Sequence, residues 1–124
     1  METLNEIKFK LKQHFGSETF YAHWFVKSAV HTEGAKDYFD QAACWWLWDI
    51  IATECHNAIK NLDPDIHYFK IVVADDEAKL TLHDYQKELL WSRDIGFTTH
   101  PEGEMDLIVG WDGQRSTTCL VSEN

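Results

Sequence analysis

The stretch Ala42-Ala43-Cys44-Trp45-Trp46-Leu47-Trp48-Asp49-Ile50-Ile51-Ala52 decides how the chain is read. It holds three tryptophans within four residues and a single acid among apolar neighbours. At eleven residues it falls well short of the roughly 20 that cross a bilayer, so it reads as a buried core helix. Upstream, Thr32 offers a capping hydroxyl, and Glu33 and Asp37 suit the positive end of a helix dipole. Downstream, Asn61-Leu62-Asp63-Pro64 stops a helix. Together these signals predict one helix over residues 33–61, about 43 Å long if straight, apolar all round at its centre.

A shorter helix is expected before it. Thr3 and Glu6 have capping-box spacing, Leu4, Ile7, Leu11 and Phe15 recur at helical intervals, and Gly16 is a ready terminator. The segment Phe20-Tyr21-Ala22-His23-Trp24-Phe25-Val26 reads as a short strand or an extended packing segment. After Pro64 the pattern turns to period two. His67, Phe69, Ile71 and Val73 share one face, with Tyr68, Lys70 and Val72 on the other. Asp75-Asp76-Glu77 reads as a turn, and Leu80 and Leu82 alternate with polar residues. A further strand is expected within residues 89–99, and Asp112-Gly113 marks a hairpin between residues 105–111 and 115–121. The expected fold is α+β in one domain over residues 1–124: a short N-terminal helix and one long, largely buried helix on an antiparallel meander sheet of about four to five strands.

Charge and composition narrow the function classes. The 124 residues carry 21 acids against 11 bases, a net charge of −10. Residues 63–124 contribute thirteen acids and five bases, so the excess lies in the sheet half. A polyanionic phosphate backbone repels such a chain, which argues against direct nucleic-acid binding. No signal peptide or membrane span is readable, and a cytoplasmic protein is expected. Cys44, Cys55 and Cys119 show no C-x-x-C spacing; on one helix Cys44 and Cys55 would stand roughly 16 Å apart, beyond disulfide reach, so free thiols are expected.

No pattern of nucleophilic or metal chemistry emerges. The seven histidines form no H-E-x-x-H, the serines (Ser17, Ser28, Ser92, Ser116 and Ser122) no G-x-S-x-G, and the glycines no phosphate loop. Neither cofactor nor metal is expected, and the reading leans away from an enzyme. Two polar groups stand out instead. Asp49 sits among Trp45, Trp46 and Trp48, where a carboxylate has to be hydrogen-bonded, paired or wet; its helical stripe continues through Thr53, His56 and Lys60. It is either a structural anchor or a carboxylate lining a Trp-walled pocket. Glu18, Tyr21, His23 and Glu33 form a second group at the start of the long helix, read as caps and loop packing or as a small pocket with His23 as acid or base and Tyr21 as donor.

Several of these residues in order carry a resemblance. Phe15-Gly16-Ser17-Glu18, then Phe20-Tyr21 and His23, Thr32-Glu33-Gly34-Ala35-Lys36, Ala43 with Trp46-Leu47 and Asp49, Ile51-Ala52, Ile95-Gly96-Phe97-Thr98-Thr99 and the closing Leu120-Val121-Ser122-Glu123-Asn124 resemble a family of uncharacterised small proteins of bacteria, their phages and plasmids. The resemblance implies a shared fold and a genomic setting, and no activity. The leading expectation is a non-enzymatic interaction protein, a phage or plasmid accessory factor in its most specific form, whose acidic sheet half meets a basic protein surface. The alternative is a small-ligand binder or enzyme with the Trp-lined pocket around Asp49.

Overall fold

The computed structural model describes residues 2–16 and 18–124. Ser17 of the resemblance lies outside the described residues. Helix α1 (Leu4–Leu11) starts where Thr3 accepts a hydrogen bond from the Glu6 amide, and it buries Leu4, Ile7 and Leu11. Strands β1 (Phe20–Ala22) and β2 (Ala29–Thr32) lead into α2 (Glu33–Gln41), which Thr32 caps through the Ala35 amide.

The expected single helix over residues 33–61 is not formed. The chain breaks at residues 42–44, where Ala43 takes a left-handed φ of 51°. The amides of Ala43 and Cys44 turn back to the carbonyls of Asp40 and Phe39, closing α2. A second helical segment then runs at a new angle as α3 (Trp45–Ile50), one wide π turn (Ile51–Cys55) and α4 (His56–Ile59). Thr53 lies in the wide turn and returns its hydroxyl to the carbonyl of Asp49 at 2.6 Å, a bond of the kind that bends helices. Breaking the rod in two lets both pieces lie on one sheet, which a straight 43 Å helix would overrun.

The sheet also differs from expectation: it has seven strands in mixed array rather than four or five in a meander. Strands β3 (Asp65–Ala74), β4 (Glu77–His83), β5 (Leu89–Ile95), β6 (Gly103–Trp111) and β7 (Ser116–Leu120) lie where the alternation and the hairpin signal placed strands. The order is β1-β2-β7-β6-β3-β4-β5: β6 crosses back from the β5 edge to pair with β3, and β2 runs parallel to β7 and brings β1 with it. The helices cover one face, where Phe69, Ile71, Leu80, Leu82, Leu107 and Val109 are fully buried against Phe39, Leu47, Ile51 and Ile59. Each such side chain contributes about 1.5–3 kcal/mol of burial. The other face, with Tyr68, Lys70, Glu104 and Asp106, is open.

A long-range cap joins the chain's end to its middle. A short 3-10 turn (Val121–Glu123) carries the Glu123 carboxylate to the N-terminus of α2. There it accepts from the Thr32 hydroxyl at 2.6 Å, the Gly34 amide at 3.2 Å and the Leu120 amide at 3.0 Å. A Cβ at Gly34 would run into the Glu123 carboxylate, so a larger residue there has to push this cap aside.

Candidate functional site

Asp49 of α3 and His23, just after β1, meet although they belong to different groups in the sequence. Asp49 Oδ1 accepts from His23 Nε2 at 2.8 Å; the imidazole is buried, while the Asp49 side chain is 61% exposed. The carboxylate is thus both paired and wet. The other ring nitrogen, Nδ1, accepts the backbone N–H groups of Phe25 and Val26, each at 3.1 Å. Two incoming donors exclude a proton from Nδ1, so the ring carries its hydrogen on Nε2, pointing at Asp49.

The consequence is a clamped loop. His23 ties down the backbone of residues 25 and 26 while Trp24 and Phe25 project with 74% and 71% of their surface in water. Their rings lie 5.5 Å apart, and Trp24 also leans on the His23 ring at 5.7 Å. A second link holds the far end of the same loop. Half-buried Ser28 reaches His56 Nε2 at 3.2 Å, and His56 Nδ1 reaches Ser116 of β7 at 2.7 Å. One ring nitrogen donates and the other accepts, so His56 joins α4 to the start of both β2 and β7. Burial, and secondarily Lys60, lowers its pKa.

The remaining sequence candidates take structural places. Trp48 is buried, with its edge toward His23 and His31; Trp46 is half-buried against the core. Trp45 donates its indole N–H to Asp40 at 2.8 Å. Tyr21 stacks on His31 at 5.2 Å, apart from His23, and Lys36 lies over its ring. Glu18 and Glu33 are exposed. His31, at the centre of this aromatic cluster, donates from Nδ1 to the Thr32 carbonyl, and burial lowers its pKa. Nothing in local spacing marks Ser28 or Ser116, which meet at His56 of α4, or the ring partners of His31 on the helices.

Other buried polar groups have similar anchoring roles. His100 accepts from the Tyr38 hydroxyl at 2.8 Å and donates to the Pro101 carbonyl at 2.7 Å; burial lowers its pKa and raises that of Tyr38. The three cysteines are buried and unbridged; burial pushes the Cys44 thiol up to about 12 and the Cys119 thiol to about 11. Among the described residues, no three His, Cys, Asp or Glu side chains converge as a metal-holding group. No helix among them is long and apolar enough to cross a membrane.

These features define a small α+β domain with a mixed seven-stranded sheet, helices on one face and an aromatic loop clamped by a buried histidine. The chain belongs to a family of unknown function (DUF6876), which matches residues 5–124. A crystal structure of a protein of unknown function from Enterococcus faecalis is similar, with a TM-score of 0.53 and 19% identity over 78% of this chain and 90% of that one. At that identity the likeness is one of fold alone. No curated protein matches the chain.

Proposed function

We propose that the protein is a non-enzymatic interaction protein that docks Trp24 and Phe25 into an apolar recess of a partner protein with a basic rim. One observation carries this reading: a buried imidazole, anchored on Asp49, takes the backbone amides of Phe25 and Val26 in the loop where Trp24 and Phe25 stand exposed. Exposed aromatics on a fixed backbone lose little entropy on binding and are common anchors of interfaces. The net charge of −10 and the free face of Asp49 favour a basic rim around the recess. The acidic sheet half adds long-range attraction to such a partner. A cytoplasmic role as an accessory factor of a phage or plasmid fits this chemistry and the implied genomic setting.

The alternative, a pocket enzyme built on Asp49, has less support. His23 has both ring nitrogens occupied, so it offers no free position to take a substrate proton. The test is capture from bacterial lysate by wild type and by a Trp24→Ser/Phe25→Ser variant, followed by reconstitution with the purified partner. A basic partner that the variant loses, with association slowing as salt rises, supports the proposal. Equal capture by the variant, or salt-insensitive association, contradicts it.

A further inference from the structure

The clamp on the aromatic loop stands on one nitrogen lone pair. Nδ1 of His23 takes the Phe25 and Val26 N–H groups, each at 3.1 Å. A neutral imidazole has one such acceptor nitrogen; a protonated imidazole has none, because both nitrogens then donate. The ring is buried, with Trp24 on one side and the edge of Trp48 on another, both at 5.7 Å. Backbone bonds hold the root of the loop without the ring. The His23 amide donates to the Ala29 carbonyl at 2.8 Å, and the Ala29 amide donates to the Val26 carbonyl at 3.0 Å. Losing the Nδ1 bonds therefore frees Trp24 and Phe25 and leaves the base of the loop tied to β2.

The charges around the ring permit a second proton. On α3, Asp49 Oδ1 lies 2.8 Å from Nε2 and favours an imidazolium, weakly, because the carboxylate is mostly exposed. Trp48, on the same helix, is uncharged. Beyond it on β2, the His31 ring lies 4.9 Å from Trp48, and burial lowers its pKa, so it stays neutral where a free imidazole becomes charged. Lys27, in the loop itself, is exposed and screened. Two things oppose the proton in the clamped form: the burial of the ring and the two N–H dipoles aimed at Nδ1. Both are relieved when the loop lifts and water reaches the ring.

We propose that protonation of His23 releases the aromatic loop. The ring takes a proton from solvent on Nδ1, the Phe25 and Val26 amides leave it for water, and Trp24 and Phe25 lose their fixed placement. Nε2–H stays on Asp49, so the imidazolium remains paired. The clamped form holds one hydrogen on the ring nitrogens and the released form two, so acid favours release, by up to about tenfold per pH unit. As regulation of partner binding, this rests on the docking role proposed above: a released loop has to be ordered again on docking, which weakens the complex. The release itself needs no partner.

Nitrogen NMR of the imidazole rings in the full chain, followed from about pH 7.5 to about pH 5.5, tests the release. At the upper end His23 should show a bare Nδ1 and a protonated Nε2. As the ring gains its second proton, the Phe25 and Val26 amide signals should move in step with it. Their protection from exchange, corrected for the intrinsic effect of pH, should fall by up to about tenfold per unit. The amides of Phe69 and Ile71, in the buried centre of β3, should stay protected, which separates release of the loop from loss of the fold. His23→Asn offers a side-chain oxygen near the Nδ1 position that accepts both amides and takes up no proton, so its loop should ignore acid. If that variant does not fold, the wild-type comparison of ring and amides decides alone. A His23 ring that gains its proton while both amides stay protected would overturn the proposal, as would a ring that stays neutral across the range or a loop that opens equally in His23→Asn. Release by acid with capture of the partner unchanged would count against the docking role and leave the proton-driven release standing.

Discussion

Removing the His23 ring tests the clamp, and the cost can be built up from its three hydrogen bonds. In His23→Leu the Phe25 and Val26 amides lose their acceptor. Both sit in a surface loop that water can reach in part, so each costs about 1 kcal/mol, below the full penalty of a buried orphan. The bond to Asp49 adds less than about 1 kcal/mol, because the carboxylate is 61% exposed and largely screened. The sum is about 2–3 kcal/mol, or about 6–12 °C in melting temperature for a chain of this length. Asp49→Asn keeps an acceptor oxygen for Nε2 and should cost about 0.5 kcal/mol. Asp49→Leu leaves the buried Nε2–H without an acceptor and should cost about 1–2 kcal/mol. Thermal melts of the three variants give the order, and amide exchange at Phe25 and Val26 should quicken only in His23→Leu. If Asp49→Leu melts like Asp49→Asn, or if those amides exchange as in wild type without the ring, the clamp is not what holds the loop.

Three further outcomes follow from the same contacts. Gly34→Ala drives a methyl against the Glu123 carboxylate and should cost about 1–3 kcal/mol in a denaturant titration; Glu123→Ala in the same background should make the glycine replacement nearly neutral. Ala43→Gly should raise stability by about 0.5–1 kcal/mol, since a φ of 51° costs glycine less than alanine; a loss would mean that the break between α2 and α3 does not rest on that conformation. His31, His56 and His100 have pKa values lowered by burial from the usual 6.5, so the unfolded chain binds protons first as pH falls. Their contribution is complete above pH 6.5 and lost as pH drops below it; melts in about 0.5 M salt, which screens the net charge, should fall steadily from pH 7 to pH 5, and a flat profile would refute this.

What could be read from the chain depended on how far each residue's partners lay. Strands β3 and β4 alternate on either side of Asp75-Asp76, and Asp112-Gly113 marks the β6–β7 hairpin, so local pattern sufficed. Strand β2 is four residues, Ala29–Thr32, all buried, with no alternation to detect, and its parallel pairing to β7 joins segments far apart in sequence. That one strand makes the sheet mixed, while the return of β6 past β4 and β5 to pair with β3 keeps the antiparallel part from being a meander. The helix break was hidden because no glycine or proline announces it; Ala43 takes a left-handed conformation that its type disfavours, with its amide and that of Cys44 turned back onto α2. Asp49 is conspicuous as an acid among tryptophans, yet its partner His23 lies 26 residues upstream, in the other polar group. The Glu123 cap, closing over 89 residues onto Gly34, was invisible for the same reason.

Under the proposed function, the clamped aromatics rather than a pocket at Asp49 make the contact with the partner. The most direct measurement is the affinity of the reconstituted partner for wild type, for Trp24→Ser/Phe25→Ser and for Asp49→Asn, each confirmed folded by its melt. The aromatic variant should bind more weakly by about 100-fold, the effect of removing a two-residue hot spot, with Asp49→Asn within about threefold of wild type. An aromatic variant that binds as wild type does, or an Asp49→Asn that abolishes binding while remaining folded, would contradict it.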